Sequence, residues 1–554
     1  MIQEMLNAVE SGIDAERVWR RTEAIWQSDR WMTMSAWRRT AQYVAAEMES
    51  AGAAEVEVFE CPADGESRFF GHQVWPTWEV REATLEIVRP TREVLGHYRR
   101  EPRALMTYSA PTPKGGVETE LVQVDDGRSA EDYRDVDVTG RIVFTRAHGA
   151  EVAPVAAKMG AVGVLSDFLV NRDSALLAVW LPKLTLRDLV PDPSDWNHQM
   201  HWMHISGNSN GMFGFVLSPA QGEKLRRRLR RERIVVRAVV DSAFSKGTIP
   251  AITCVIPGTG KRHEQVLCVS HLYEQGANDN ASGCAASLEV ASCLVGLIRK
   301  GALPQPERSI RLVQGLEVQG IMCYLHAHRE QIRHTPAGIC LDSLGQREHV
   351  AQIPLVITRN PADRPAFTEP LIEWITTQWL APRDAAYNWI AADYNGGTDN
   401  IIAEGEIGIP CPFIGSANRQ WHTTADTMET VDRRSLVHGS AIGAAYCCFI
   451  ANADLRSAQL VLALSESYGQ GRMMESASGS AERLLSAGRA RGKALDMAIT
   501  ELRQEVGRSA LRMKTALGLA GPGQRRRLVA QAAAAADRLR EVGRIQERSL
   551  LGLR

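Results

Sequence analysis

The stretch from Ser270 to Gly283, Ser-His-Leu-Tyr-Glu-Gln-Gly-Ala-Asn-Asp-Asn-Ala-Ser-Gly, constrains the fold of this chain more than any other. The apolar run Val266-Leu267-Cys268-Val269 leads into it and reads as a buried parallel strand. His271 stands at the end of that strand. Asp279 follows eight residues later, inside a Gly/Asn/Asp turn that opens onto the small-residue helix start Ala281-Ser282-Gly283. Open α/β sheets gather ligands at the carboxyl ends of their strands. A His and an Asp delivered there together read as two ligands of a divalent metal.

Three more segments repeat the pattern. Residues 309–316 form an apolar strand ending at Glu317; residues 338–341 form a short strand ending at Asp342; residues 409–415 form a strand followed by Trp421-His422-Thr423-Thr424-Ala425-Asp426. Strand ends therefore deliver His271 with Asp279, then Glu317, Asp342 and His422. Mixed imidazole and carboxylate ligation suits zinc, and an open coordination position makes such a site catalytic.

In this order and spacing the motifs resemble the co-catalytic zinc aminopeptidase family, which includes glutaminyl cyclases and glutamate carboxypeptidases. The family pattern runs His-x-Asp, Gly-Ala-Asn-Asp-Asn-Ala-Ser-Gly, Glu-Glu-x-Gly, Leu-Asp-x-x-Gly and Tyr-His-Thr-x-x-Asp-Thr, and its counterpart here spans residues 246–455. The resemblance implies that His271, Asp279, Asp342 and His422 are metal ligands, with Asp279 bridging, and that Glu317 is the general base. It implies an α/β fold, a mixed and mostly parallel twisted sheet between helices.

The departures carry equal information. The family's second glutamate, a zinc ligand, is Val318 here, which cannot coordinate and predicts fewer than two tightly held zinc ions, so one ion is expected and two at most. The Asp that orients the first imidazole is Tyr273. The Tyr before the last His is Trp421, whose indole N–H can still donate to an oxyanion. Asp399, in Tyr394-Asn395-Gly396-Gly397-Thr398-Asp399, falls on a loop that flanks the family's pocket. Trp421, Asp399 and Tyr273 are thus the expected substrate-side residues, with a contact to a group behind the metal ligands as the alternative for Asp399. Glu317 reads as base rather than ligand, because a metal-bound water still needs a carboxylate to take its proton.

The expected function is a zinc-dependent, aminopeptidase-like hydrolase of a peptide or aminoacyl small molecule. The alternatives are a mono-zinc acyltransferase or cyclase of the glutaminyl cyclase type, and a non-catalytic binding protein on the same fold. A net charge of −1 gives no general attraction to nucleic acid or to an anionic membrane. The basic run 224–233 reads as a solvated helix face, and no run is expected to reach transmembrane length. Most of the ten cysteines sit in apolar runs, which, with no evident signal peptide, points to free thiols and the cytoplasm.

Four parts are expected. Residues 1–100 hold amphipathic helices (15–26 and 34–50) and strands, forming the N-terminal part of the peptidase domain. Residues 101–245 form a β-rich insertion whose strand–helix–strand centre resembles a protease-associated domain. Residues 246–455 are the zinc domain. Residues 456–554 are a helical tail, read as helices 476–519 and 524–550 split at Ala520-Gly521-Pro522-Gly523, with an apolar stripe suited to a homodimer. His198, His201 and His204, three apart, read chiefly as surface or substrate-facing residues.

Overall fold

The computed structural model describes residues 2–169, 198–205, 211–347, 353–416, 420–521 and 523–553. Three helices open the chain: α1 (Ile2–Gly12), α2 (Ala15–Asp29) and α3 (Met34–Ala51). Asp14 and Thr33 cap α2 and α3 by accepting backbone N–H groups of the first turn. The hairpin β2 (Arg68–Phe69) and β3 (His72–Gln73) then separates β1 (Ala54–Ala63) from β4 (Thr77–Arg89) and β5 (Glu93–His97).

Two sheets organise the rest. The first runs through β4, β5, β6 (Val117–Gln123), β7 (Ile142–Thr145), β8 (Gly163–Ser166), β9 (Phe213–Val216) and β10 (Val235–Ser245), in the order β5-β4-β10-β6-β7-β8-β9. Helices α4 (Gly149–Lys158) and α5 (Pro219–Leu229) accompany it. Its β4–β10 ladder joins residues 77–89 to 235–245. The inserted unit therefore begins at Thr77 rather than near residue 101. Local patterning marks β4 as a strand, but its partner lies some 150 positions away, which no local signal records. The basic run also departs from expectation at one residue: Arg226 is buried and paired with Asp167, while Lys224 and Arg228 reach Glu93.

The second sheet contains β1, β11 (Gly247–Ile256), β12 (Lys261–Leu272), β13 (Arg308–Leu316), β14 (Ala337–Leu341), β15 (Leu355–Thr358), β16 (Trp389–Ala392) and β17 (Phe413–Gly415), in the order β1-β11-β13-β12-β14-β17-β15-β16. The four central strands, β13, β12, β14 and β17, are mutually parallel. Their near-continuous apolar sequences follow from burial on both faces. Helices α6 (Ala281–Arg299), α7 (Gln319–Ala327), α8 (Thr368–Arg383) and α9 (Arg433–Ala451) flank this sheet. The α6 helix has the length and apolarity of a membrane span, yet it lies almost wholly buried in the core.

The tail is three helices, α10 (Leu455–Ser486), α11 (Arg491–Ala516) and α12 (Arg525–Leu551), where two were expected. The long first helix breaks at Gly488, which adopts φ +52, the left-handed region that glycine enters without a Cβ penalty. Pro522 of the second breaker lies outside the described residues. Leu495, Ala498 and Leu502 of the apolar stripe pack into the main core with Met473, Leu484 and Leu539. The stripe on which a homodimer was expected is thus largely covered within the chain. Buried Arg512 reaches Glu369 of α8 at 2.7 Å and Glu505 at 2.6 Å, and fully buried Arg308 donates to the Leu519 carbonyl at 2.9 Å. Removing one partner of such a buried pair costs about 3–5 kcal/mol, so these contacts pin the tail to the sheet domain.

Candidate metal centre

The parallel strands end together and bring their terminal residues to one point. His271 is the penultimate residue of β12, Glu317 follows β13 and Asp342 follows β14. Asp279 lies in the turn before α6, whose N-cap is Asn280. Asp426 accepts the backbone N–H groups of Asn278 (2.9 Å) and Asp279 (3.1 Å), which fixes the turn. Gly276 is needed beside it, because a Cβ there would meet the Asp426 carboxylate at 2.2 Å.

Asp279 bridges the two imidazoles. Its Oδ1 lies 3.6 Å from His271 Nε2 and its Oδ2 lies 3.2 Å from His422 Nε2. His271, Asp279 and Asp342 place one ligand atom each within 4.8 Å of the others, and so do Glu274, Asp279 and His422. Glu317 groups in the same way with His271 and Glu274. The structure therefore brings His271, Asp279, Glu317, Asp342 and His422 together, and it adds Glu274.

The electrostatics are those of a cation site. Burial pushes Asp342 up to about 7 and Glu317 well above the usual carboxylate range, with neighbouring acids adding to the shift. Burial also opposes charge on the histidines, yet Asp342 and Glu317 hold His271 well above its ordinary value. His422 rises to about 10, because Asp279 and Glu274 outweigh its burial. Asp279 itself is held below the usual range by both histidines, against its own burial. The imidazole protons thus compensate crowded carboxylates. His271 Nε2 is buried, has no hydrogen-bond partner among the described residues, and faces this cluster, as a metal-ligating nitrogen would. The donor set fits a divalent ion of the zinc type.

The three residues expected on the substrate side separate. Trp421 lines the cavity and stacks on His422, with centroids 3.8 Å apart. Asp399 takes the second of its two expected places: it is buried behind the site, with Oδ2 3.9 Å from His271 Nδ1 and Oδ1 accepting the Val318 N–H at 2.8 Å. It stands where the orienting carboxylate missing at Tyr273 would act. Tyr273 does not reach the cluster either. Its fully buried ring stacks on Trp37 and its hydroxyl donates to the Pro250 carbonyl at 2.7 Å.

The insertion closes the site from the other side. The backbone N–H of Trp202 donates to the His422 carbonyl at 2.6 Å, and that of Thr424 donates to the Met200 carbonyl at 2.9 Å. Buried His201 has its ring 6.0 Å from His422, and His148 lies 5.8 Å from His201 and 6.0 Å from His204. His198 is exposed and stays apart. The enclosed cavity, about 80 Å³, is lined by the acidic cluster, Phe413, Trp421 and His422. A chamber of about 350 Å³ shares Glu274 and Glu317 with it and is walled by Trp75 and Trp202.

Residues 251–446 match Peptidase family M28. The chain thus carries a domain similar to that family, over the strands and turns that hold the site. That similarity supports a peptidase-type hydrolase. The fold is shared with the peptidase M28 precursor of Shewanella amazonensis, at 18% identity over 79% of this chain and 96% of that one, with a TM-score of 0.54. It is likewise similar to a zinc aminopeptidase of Bacillus subtilis, at 18% identity over 78% and 94% of the two chains, with a TM-score of 0.53. No curated protein matches the chain in sequence.

Glu274 is the residue that sequence reasoning passed over. The available signal was an acidic residue in the same short loop as His271 and Asp279, in a chain that lacks a carboxylate at Val318.

Proposed function

We propose that this protein is a zinc-dependent aminopeptidase acting on peptides or aminoacyl compounds with a free amino end. The observation that carries the reading is Glu317 beside an Asp279-bridged pair of histidines, in a wall shared by the small cavity and the larger chamber. His271, Asp279, Asp342 and His422 would hold the metal. When bound, zinc supplies Lewis acidity, polarising a scissile carbonyl and lowering the pKa of water.

The chain's own groups supply the rest. The Glu317 carboxylate takes a proton from the attacking water and returns it to the leaving amine. Burial raises its pKa, which equips it to hold that proton between the two transfers. Trp421, stacked on His422, fixes that imidazole's plane and offers an indole N–H at the cavity wall. Trp75 and Trp202 line the chamber beside Glu274 and Glu317 and offer apolar surface to the substrate side chain.

Glu317→Gln tests the base. It should lower kcat on an aminoacyl 4-nitroanilide by about 10²-fold or more, with zinc content unchanged. Unchanged turnover would refute the assignment, and loss of metal would make Glu317 a ligand.

A further inference from the structure

We infer that Glu274 is a metal ligand in this chain, completing a second cation position that the valine at 318 leaves without its carboxylate. The inference rests on the zinc reading above and extends it. Tyr273, with φ +75, turns the chain directly after β12, so that Tyr273 enters the core while Glu274 enters the cavity. The Glu274 carboxylate is 7 % exposed; its Oε2 lies 3.6 Å from His422 Nε2 and 3.9 Å from His271 Nε2.

Two triads result. His271, Asp279 and Asp342 form one, and Glu274, Asp279 and His422 form the other, sharing the bridging Asp279. Each offers one imidazole nitrogen and two carboxylates, a donor set that zinc accepts while keeping a position for water. Val318 cannot contribute: it packs as a partly buried hydrophobic against the core under the sheet, and its N–H is held by Asp399. The carboxylate has in effect moved from the loop after β13 to the loop after β12. This reverses the expectation of fewer than two bound ions that Val318 alone suggests.

The test is zinc per chain after exhaustive dialysis of the full-length protein, with no reference to turnover. Wild type should retain two zinc ions, Glu274→Gln one or fewer, and Glu317→Gln two. A wild type holding a single ion overturns the proposal whether or not any variant folds. So does Glu274→Gln that retains two ions with an unchanged circular dichroism spectrum. Failure here is distinct from failure of the aminopeptidase reading: a protein with two ions and no peptide hydrolysis keeps the ligand and loses the activity, whereas a one-ion peptidase does the opposite.

Discussion

His422 lies between two neighbourhoods. On one side Asp279 and Glu274 approach its Nε2 to 3.2 and 3.6 Å; on the other the ring of His201 sits 6.0 Å away, followed by His148. The first neighbourhood lifts His422 to about 10, against its burial. In the second, burial pushes His148 down to about 4 and His201 well below its ordinary value, and the nearby imidazoles add to it. The residue type is the same and the burial is similar. What differs is the partner: carboxylates from the strand ends against Phe168 and other imidazoles. A buried histidine beside acids prepares a cation site, whereas one among aromatic rings is a neutral wall.

Zinc binding should respond strongly to pH on the first side. Metal requires neutral imidazoles and ionised carboxylates, but in the metal-free protein His422 titrates at about 10 and Asp342 at about 7. At pH 7 binding must therefore displace at least one proton. Affinity should fall by about tenfold per displaced proton for each pH unit lost, and the release should shrink as pH rises towards 10. Calorimetry in buffers of different ionisation enthalpy measures both. Zinc binding without proton release at pH 7 would break the contrast.

The second side predicts a smaller effect, of opposite origin. His148 titrates at about 4 in the fold, below its ordinary value near 6.5. Its stabilising share is complete above pH 6.5 and is lost as pH falls towards 4, up to about 3 kcal/mol for a shift of that size. His148→Gln should flatten the acid side of the stability curve by roughly that amount, read from urea unfolding with a chelator present. An unaltered curve would mean that the imidazole is better solvated than its contacts with Phe168 and His201 imply.

The two sides also differ in how far the amino-acid sequence exposes them. His271, Glu317 and Asp342 were legible because each ends or directly follows an apolar strand, and Asp279 because it sits in a Gly/Asn/Asp turn opening onto a small-residue helix start, where local pattern and chemistry coincide. Glu274 was not, since its inward direction depends on a positive φ at Tyr273 that no tyrosine advertises. Asp399 was visible as a loop acid, but its position behind His271 depends on how residues 398–403 pack under β12, a tertiary matter. The insertion's start at Thr77 was hidden for a related reason, because β4 finds its partner only in β10. His201 and His204 read as three-spaced histidines, while the strand-like pairing of His201 with Thr423 that carries them over the site is a long-range bridge.

Anomalous diffraction at the zinc absorption edge, from crystals grown with zinc, separates the two neighbourhoods. Strong peaks are expected between His271 Nε2, His422 Nε2 and the carboxylates of Asp279, Asp342 and Glu274, with no peak among His148, His201 and His204. An empty carboxylate cluster, or a peak confined to the aromatic-walled histidines, would contradict that contrast.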